Sequence, residues 1–413
     1  MKKIILVYGL LFFCLSLFSQ QIFKEEALVI NVEVPVRVFK DGQFVEKLTI
    51  DDFQVFENGI LQKIDAVYLV KKRAIERSDE KKRFLPQTSR NFFLFFEISD
   101  YTRRLGEAVD YFINNVLLPG DGLFVSSPLK SYKLKEIVLE SRSKEAIAAE
   151  LKKLLRKDIL AGSSEYNSII RDITQITRAL HSEIVGPGEY KSDEATSSLY
   201  DLKTGAEEDK IDELLMLLAG NMSKLETLRD VDQLQLLDFA KFLKYKQGQK
   251  YVFLFYQREF LPQIDPKIMG LYSGEHQDRP NILMGFSDLY DLLKRDISFD
   301  VDIIKQAYAD ASVSIHFLFI STPSEPIYGI SMQEQSEDIY QAFREIARAT
   351  GGFSDSSANP AYLFKNALQA SEDYYLLYYS PKGYTSDEKF KEIQVRVKDK
   401  DCKIIHRLGY FAN

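Results

Sequence analysis

A chain of 413 residues, 45% hydrophobic and 28% charged, has apolar material for a large core and room for two or three domains. Its net charge of −7 arises from 54 basic and 61 acidic residues dispersed along the sequence; no basic stripe forms, which argues against nucleic acid as a partner. The two cysteines, Cys14 and Cys402, are too few for a disulfide framework.

The N-terminus has the pattern of a secretory signal peptide over residues 1–19. Lys2-Lys3 supply the positive n-region, residues 4–18 an apolar h-region, and Ser19-Gln20-Gln21 a polar flank. The run falls short of the roughly 20 apolar residues of a membrane span. Leu17 fits a cleavage motif poorly, so an uncleaved signal acting as a membrane anchor is the alternative. Phe12-Phe13 before Cys14 do not suit a lipoprotein motif. The expected location is secreted or periplasmic, with no transmembrane span after cleavage. Cleavage would remove Cys14, leaving Cys402 without a partner; it reads as a small buried strand residue.

Residues 28–70 read as an N-terminal β module. Leu28, Ile30, Val32, Val34, Val36 and Val38 recur with the period of a half-buried strand. Asp41-Gly42 and Asn58-Gly59 supply tight hairpin turns, and residues 64–70 form a closing strand. Residues 71–90, dense in charge and containing Pro86, read as a solvated linker.

From Asn91 the texture changes. Phe92-Phe93-Leu94-Phe95-Phe96 is a short unbroken apolar run, as in a strand covered on both faces of a parallel sheet. A helix is expected over 102–117, a strand at 122–125 and a helix over 143–157. Residues 165–246 read as a helical insertion, with leucines at helical spacing and an interruption at Gly186-Pro187-Gly188. Further buried strands are expected at 251–255 and 313–320, and helices at 301–311 and 339–350, the last stopped by Gly351-Gly352. Alternating strands and helices over 91–370 predict a doubly wound α/β domain. Residues 371–413 return to β texture, with strands at 374–379, 393–397 and 403–406 expected to join the N-terminal module.

Several segments, in chain order, resemble the "VWFA-related" proteins of Acidobacteria-type bacteria. They are Val34-Pro35-Val36-Arg37-Val38, Asp51-Asp52-Phe53, Val55-Phe56-Glu57-Asn58-Gly59, Gln247-Gly248-Gln249-Lys250 and Ala347-Arg348-Ala349-Thr350-Gly351-Gly352. Tyr374-Tyr375-Leu376-Leu377-Tyr378-Tyr379 and Arg407-Leu408-Gly409-Tyr410 close the series. The likeness runs from about residue 28 to the end and is poorest over 165–240. It implies a Rossmann-like, von Willebrand factor A-like domain flanked by a small β domain of N- and C-terminal strands.

That family fold typically binds Mg²⁺ through an Asp-x-Ser-x-Ser loop, a Thr from a second loop and an Asp after a later strand. Here the first loop reads Glu97-Ile98-Ser99-Asp100-Tyr101, the second offers Ser163 or Ser164, and the third reads Tyr256-Gln257-Arg258-Glu259. The resemblance therefore implies a degenerate site whose candidate metal ligands are Glu97, Ser99, Asp100 and Glu259, with no other cofactor. His181, His276, His316 and His406 lie far apart without zinc spacing. His316 reads as a core residue, and residues 298–302 as helix-capping chemistry. No phosphate loop or nucleophile turn occurs. The expectation is an exported, non-enzymatic module that binds another protein or a cell-surface component. The alternative is a scaffold of the periplasm or envelope acting through its β module, with a hydrolase behind both.

Overall fold

In the computed structural model, which describes residues 30–134, 138, 141–185, 207–275, 277–293, 297–324, 326–327 and 330–412, the period-two valines form the first strand. The N-terminal strands are β1 (Val32–Lys40), β2 (Gln43–Phe44), β3 (Phe53–Glu57), β4 (Ile60–Gln62), β5 (Ile64–Lys71) and β6 (Ala74–Glu80). The β1–β2 turn holds Asp41 at φ 51° and Gly42 at φ 78°; the β3–β4 turn holds Asn58 at φ 47° and Gly59 at φ 80°. Paired left-handed residues match the right-handed twist of the strands they join. The signal segment 1–19 and the interruption at 186–188 lie outside the described residues, as do Leu28 and His276.

The α/β part comprises β7 (Arg90–Glu97), α1 (Arg103–Tyr111), β8 (Gly122–Ser126), β9 (Ser131–Leu134), α2 (Lys144–Gly162), α3 (Ser164–Val185), α4 (Glu207–Arg229) and α5 (Gln233–Tyr245). It continues with β10 (Gln249–Gln257), β11 (Phe260–Ile264), α6 (Pro266–Glu275), α7 (Pro280–Leu293), α8 (Val301–Asp310), β12 (Val313–Ile320), β13 (Ile330–Glu334), α9 (Glu337–Ala349), β14 (Ser354–Ser357) and α10 (Pro360–Leu368). The chain closes with β15 (Asp373–Tyr379), β16 (Phe390–Val397), β17 (Lys403–His406) and β18 (Gly409–Phe411).

The chain is a mixed α/β protein. Its central sheet has six strands in the order β14-β12-β10-β7-β8-β9. The apolar runs of β7, β10 and β12 lie side by side and parallel, with Leu254 opposite both Phe95 and Phe317. β9 is an antiparallel edge. One face is buried under α1, α2 and α10 by a core including Phe92, Phe96, Phe112, Leu155 and Phe364. The other packs on α5, α8 and α9 through Phe93, Leu243, Ile304, Phe317 and Ile346. Strand order reverses between β7 and β10, so the loops leaving their carboxyl ends diverge to opposite faces and open a crevice.

N- and C-terminal strands interleave. β15 pairs antiparallel with β1 on one side and β5 on the other, and β16 pairs with β3. The two sheets so made bury a shared core that includes Val34, Val36, Val55, Tyr375 and Val395. Glu57 is buried there, accepting hydrogen bonds from Tyr379 Oη (2.7 Å) and Tyr410 Oη (3.0 Å).

Three expectations need correction. Residues 71–90 are not simply a linker: β6 pairs with β5 along residues 74–80. Its side chains are mostly exposed, so the charges that suggest a linker are those of an edge strand, where they discourage pairing with another chain. Nor do residues 165–246 form one helical unit. α3 and α4 share a core with β11, α6 and α7 through Ile173, Leu214, Leu261 and Phe286, whereas α5 covers the central sheet. Cys402 precedes β17 in a half-buried loop rather than lying in a strand.

Backbone packing explains Gly351-Gly352. Gly351 ends α9 at φ 67°, and a Cβ on Gly352 would lie 1.7 Å from Ile315 O. Leu408 N then donates to Ala349 O at 2.6 Å, and Arg407 reaches Ala309 O (3.1 Å) and Glu33 O (2.7 Å), fastening the β module to the α/β part. Among the described residues no helix is long and apolar enough to cross a membrane.

Candidate functional site

The crevice at the carboxyl ends of β7 and β10 is built from segments that meet only in the folded chain. Ile98, buried under the sheet, anchors the first loop, and Thr102 ends it by capping α1, accepting from Leu105 N at 3.2 Å. Between them Ser99 is half-buried and Asp100 exposed. The Tyr101 hydroxyl lies over Gly106 of α1, where a Cβ would stand 3.0 Å from it. The phenol thus points along the helix and does not replace a short hydroxyl in the loop.

The second segment is the α2–α3 junction. Gly162 passes so close to Pro128 that a Cβ would lie 2.8 Å from Pro128 Cβ. This brings Ser163 Oγ within 3.0 Å of Ser99 O and 2.7 Å of Ile159 O, while Asn167 Nδ2 donates to it at 3.2 Å. Ser164 Oγ turns away to Ala161 O at 2.8 Å.

The third is the end of β10. Gln257 Oε1 accepts from Ser99 N and Asp100 N, both at 3.2 Å, and its Nε2 donates to Asp100 Oδ2 at 3.0 Å. Arg258 stacks on Phe319 with its guanidinium 5.5 Å from the ring centre and meets Glu334 at 3.1 Å. Glu259 is held by Arg229 of α4 (2.5 Å) and by Tyr256 Oη (2.6 Å); Arg229 also donates to Gln335 O at 2.7 Å.

Of the candidate ligands, Ser99 and Asp100 are thus brought together with Gln257 and Ser163, Glu97 stands at the end of β7, and Glu259 is committed to Arg229 and Tyr256. These residues do not fit a Mg²⁺ ion, which needs near-octahedral hard oxygens. Gln257 offers an amide already spent on the first loop, Tyr101 is turned aside, and a guanidinium occupies Glu259. Among the described residues, no group of three or more His, Cys, Asp and Glu side chains could hold a metal. His316 is fully buried in β12, its Nδ1 accepting from Phe353 N at 3.1 Å and its ring stacked 4.7 Å from that of Phe253.

A cleft of about 750 Å³ opens beneath these loops. It runs from Glu97 and Gln257 down between the central sheet and α5, along Phe95, Leu254 and Phe239. Glu97 keeps contact with solvent at the cleft mouth, but protein crowds its carboxyl on the other sides. That desolvation raises it above its usual range. Sequence reasoning singles out Glu97 and Gln257 but misses Arg229 and the cleft floor. Arg229 ends a helix with no recognisable spacing to Glu259, and the floor residues read as ordinary core.

No protein-family model matches the chain, and no curated protein or solved structure matches it.

Proposed function

We propose that this chain is an exported, non-enzymatic binding module of von Willebrand factor A-like type that recognises another protein or a cell-surface component through its loop rim, without a functional Mg²⁺ site. The N-terminal signal pattern supports export, and the strand order with its reversal between β7 and β10 supports the family frame. One observation carries the reading: the rim's polar groups hold one another. Gln257 and Ser163 tie the first loop in place, leaving a preformed surface.

The test is site-specific photo-crosslinking in the native host, with the reactive group placed in turn at two exposed rim positions, Asp100 on the first loop and Asp230 at the cleft edge just after α4, and at the exposed Glu76 on β6. A reproducible adduct from the rim positions and none from Glu76 supports the proposal. Adducts only from Glu76, or none from the rim, overturn it.

A further inference from the structure

We propose that the cleft between the central sheet and α5 is a binding site for a small organic cation, a protonated amine on an apolar stem. This goes beyond recognition of a macromolecule at the rim and does not depend on it.

The floor is the first argument. Phe95 and Leu254 are register partners on the two central strands, where full coverage would be expected, yet both are only half-buried. The residual exposure faces the cleft, because α5 contributes Phe239, in edge-on contact with Phe95 at 5.3 Å, without closing over Leu254. Tyr308 and Phe343 complete an aromatic wall. A volume of about 750 Å³ falls within the range of sites for small ligands, roughly 300–1,000 Å³.

Charge is the second argument. The lining guanidiniums are already paired, Arg229 with Glu259 and Arg258 with Glu334. The carboxylates of Glu97, Glu165 and Asp230 also line the cleft and have no hydrogen-bond or ion-pair partner among the described residues. The mouth is therefore negative while the wall is aromatic, the combination that favours a cation over an anion or a neutral solute. Glu97, at the end of β7, stands where the apolar wall gives way to the polar rim. An ammonium there would meet the Glu97 carboxylate where it lines the cleft mouth.

The test is calorimetric titration of the full chain with 4-phenylbutylamine, 4-phenylbutanol and 4-phenylbutyrate, which share a stem and differ in head group. The amine should bind at least about tenfold more tightly than the alcohol, a margin of about 1.4 kcal/mol, and the acid most weakly. Glu97→Gln should bring the amine down to the level of the alcohol, and Leu254→Trp should weaken both, with circular dichroism verifying that each variant folds. Absence of amine binding, acid binding equal to amine, or an unchanged amine preference in Glu97→Gln would each overturn the proposal. Because the probes are small molecules, failure here leaves the crosslinking result on the rim to be judged separately.

Discussion

Gln257 and Asp100 hold each other twice: the Asp100 amide donates to Gln257 Oε1 at 3.2 Å, and Gln257 Nε2 donates to Asp100 Oδ2 at 3.0 Å. An amide, being donor and acceptor at once, can make both bonds. A carboxylate at position 257 would accept from the loop amides but could not donate to Asp100, and would repel it. Replacing Gln257 with Ala should cost about 1–2 kcal/mol, from partly exposed hydrogen bonds of about 0.5–1.5 kcal/mol each. Urea unfolding measures the loss. Faster amide hydrogen exchange at Ser99 and Asp100 should accompany it, with exchange in the β module unchanged.

Arg90 and Asp121 form a fully buried pair, bonded at 2.6 and 3.2 Å, with Arg90 also reaching Val116 O at 2.9 Å. Asp121→Ala strands a buried cation and should lower stability by about 3–5 kcal/mol. The double change Arg90→Met with Asp121→Leu removes both charges and should recover a substantial part of that loss. Chemical denaturation of the wild type and the two variants gives the comparison; a double variant no better than Asp121→Ala would contradict the assignment.

Two glycines separate close approach from backbone freedom. Gly352→Ala forces a Cβ into Ile315 O and should either prevent folding or lower stability by more than about 3 kcal/mol. Gly59→Ala meets no atom within 4 Å and bears only the strain of φ 80°, so a loss of about 1 kcal/mol is expected. Thermal melts of the two variants should differ accordingly.

His316 should make the fold sensitive to mild acid. Burial, helped by the nearby charge of Arg37, holds its pKa well below 6.5. In the unfolded chain the imidazole titrates at about 6.5, so below that pH protons bind the unfolded state preferentially. The stability is full above pH 6.5 and is lost as pH falls from there toward the folded-state value. Melting temperatures measured from about pH 8 to about pH 5, a range spanning the free imidazole's titration, should fall less steeply for His316→Asn than for the wild type. Identical slopes would contradict this origin.

Much of the frame is legible in the sequence because it is written in local patterns. The unbroken run at 92–96 and its counterparts at 251–255 and 313–320 are what strands buried on both faces require, and they lie adjacent in the central sheet. Asp41-Gly42 and Asn58-Gly59 mark their turns because few other residue pairs tolerate that backbone. β6 escapes notice since a charged edge strand and a solvated linker share a composition. α5 reads as part of the insertion because helical spacing says which face is apolar, not which sheet will cover it. The site is the least legible part. Glu97, Ser99 and Asp100 can be singled out, but pairing Arg229 with Glu259 joins residues from separate elements, and no sequence period encodes that.

Titration of the full chain with Mg²⁺ and Mn²⁺ by calorimetry, repeated with Glu97→Gln and Asp100→Asn, bears most directly on a rim held by hydrogen bonds rather than by a metal. Gln257 and Ser163 already satisfy the first loop, so neither ion should give a saturable heat at millimolar concentration, and the variants should behave alike. Saturable binding by the wild type that disappears in either variant would contradict it.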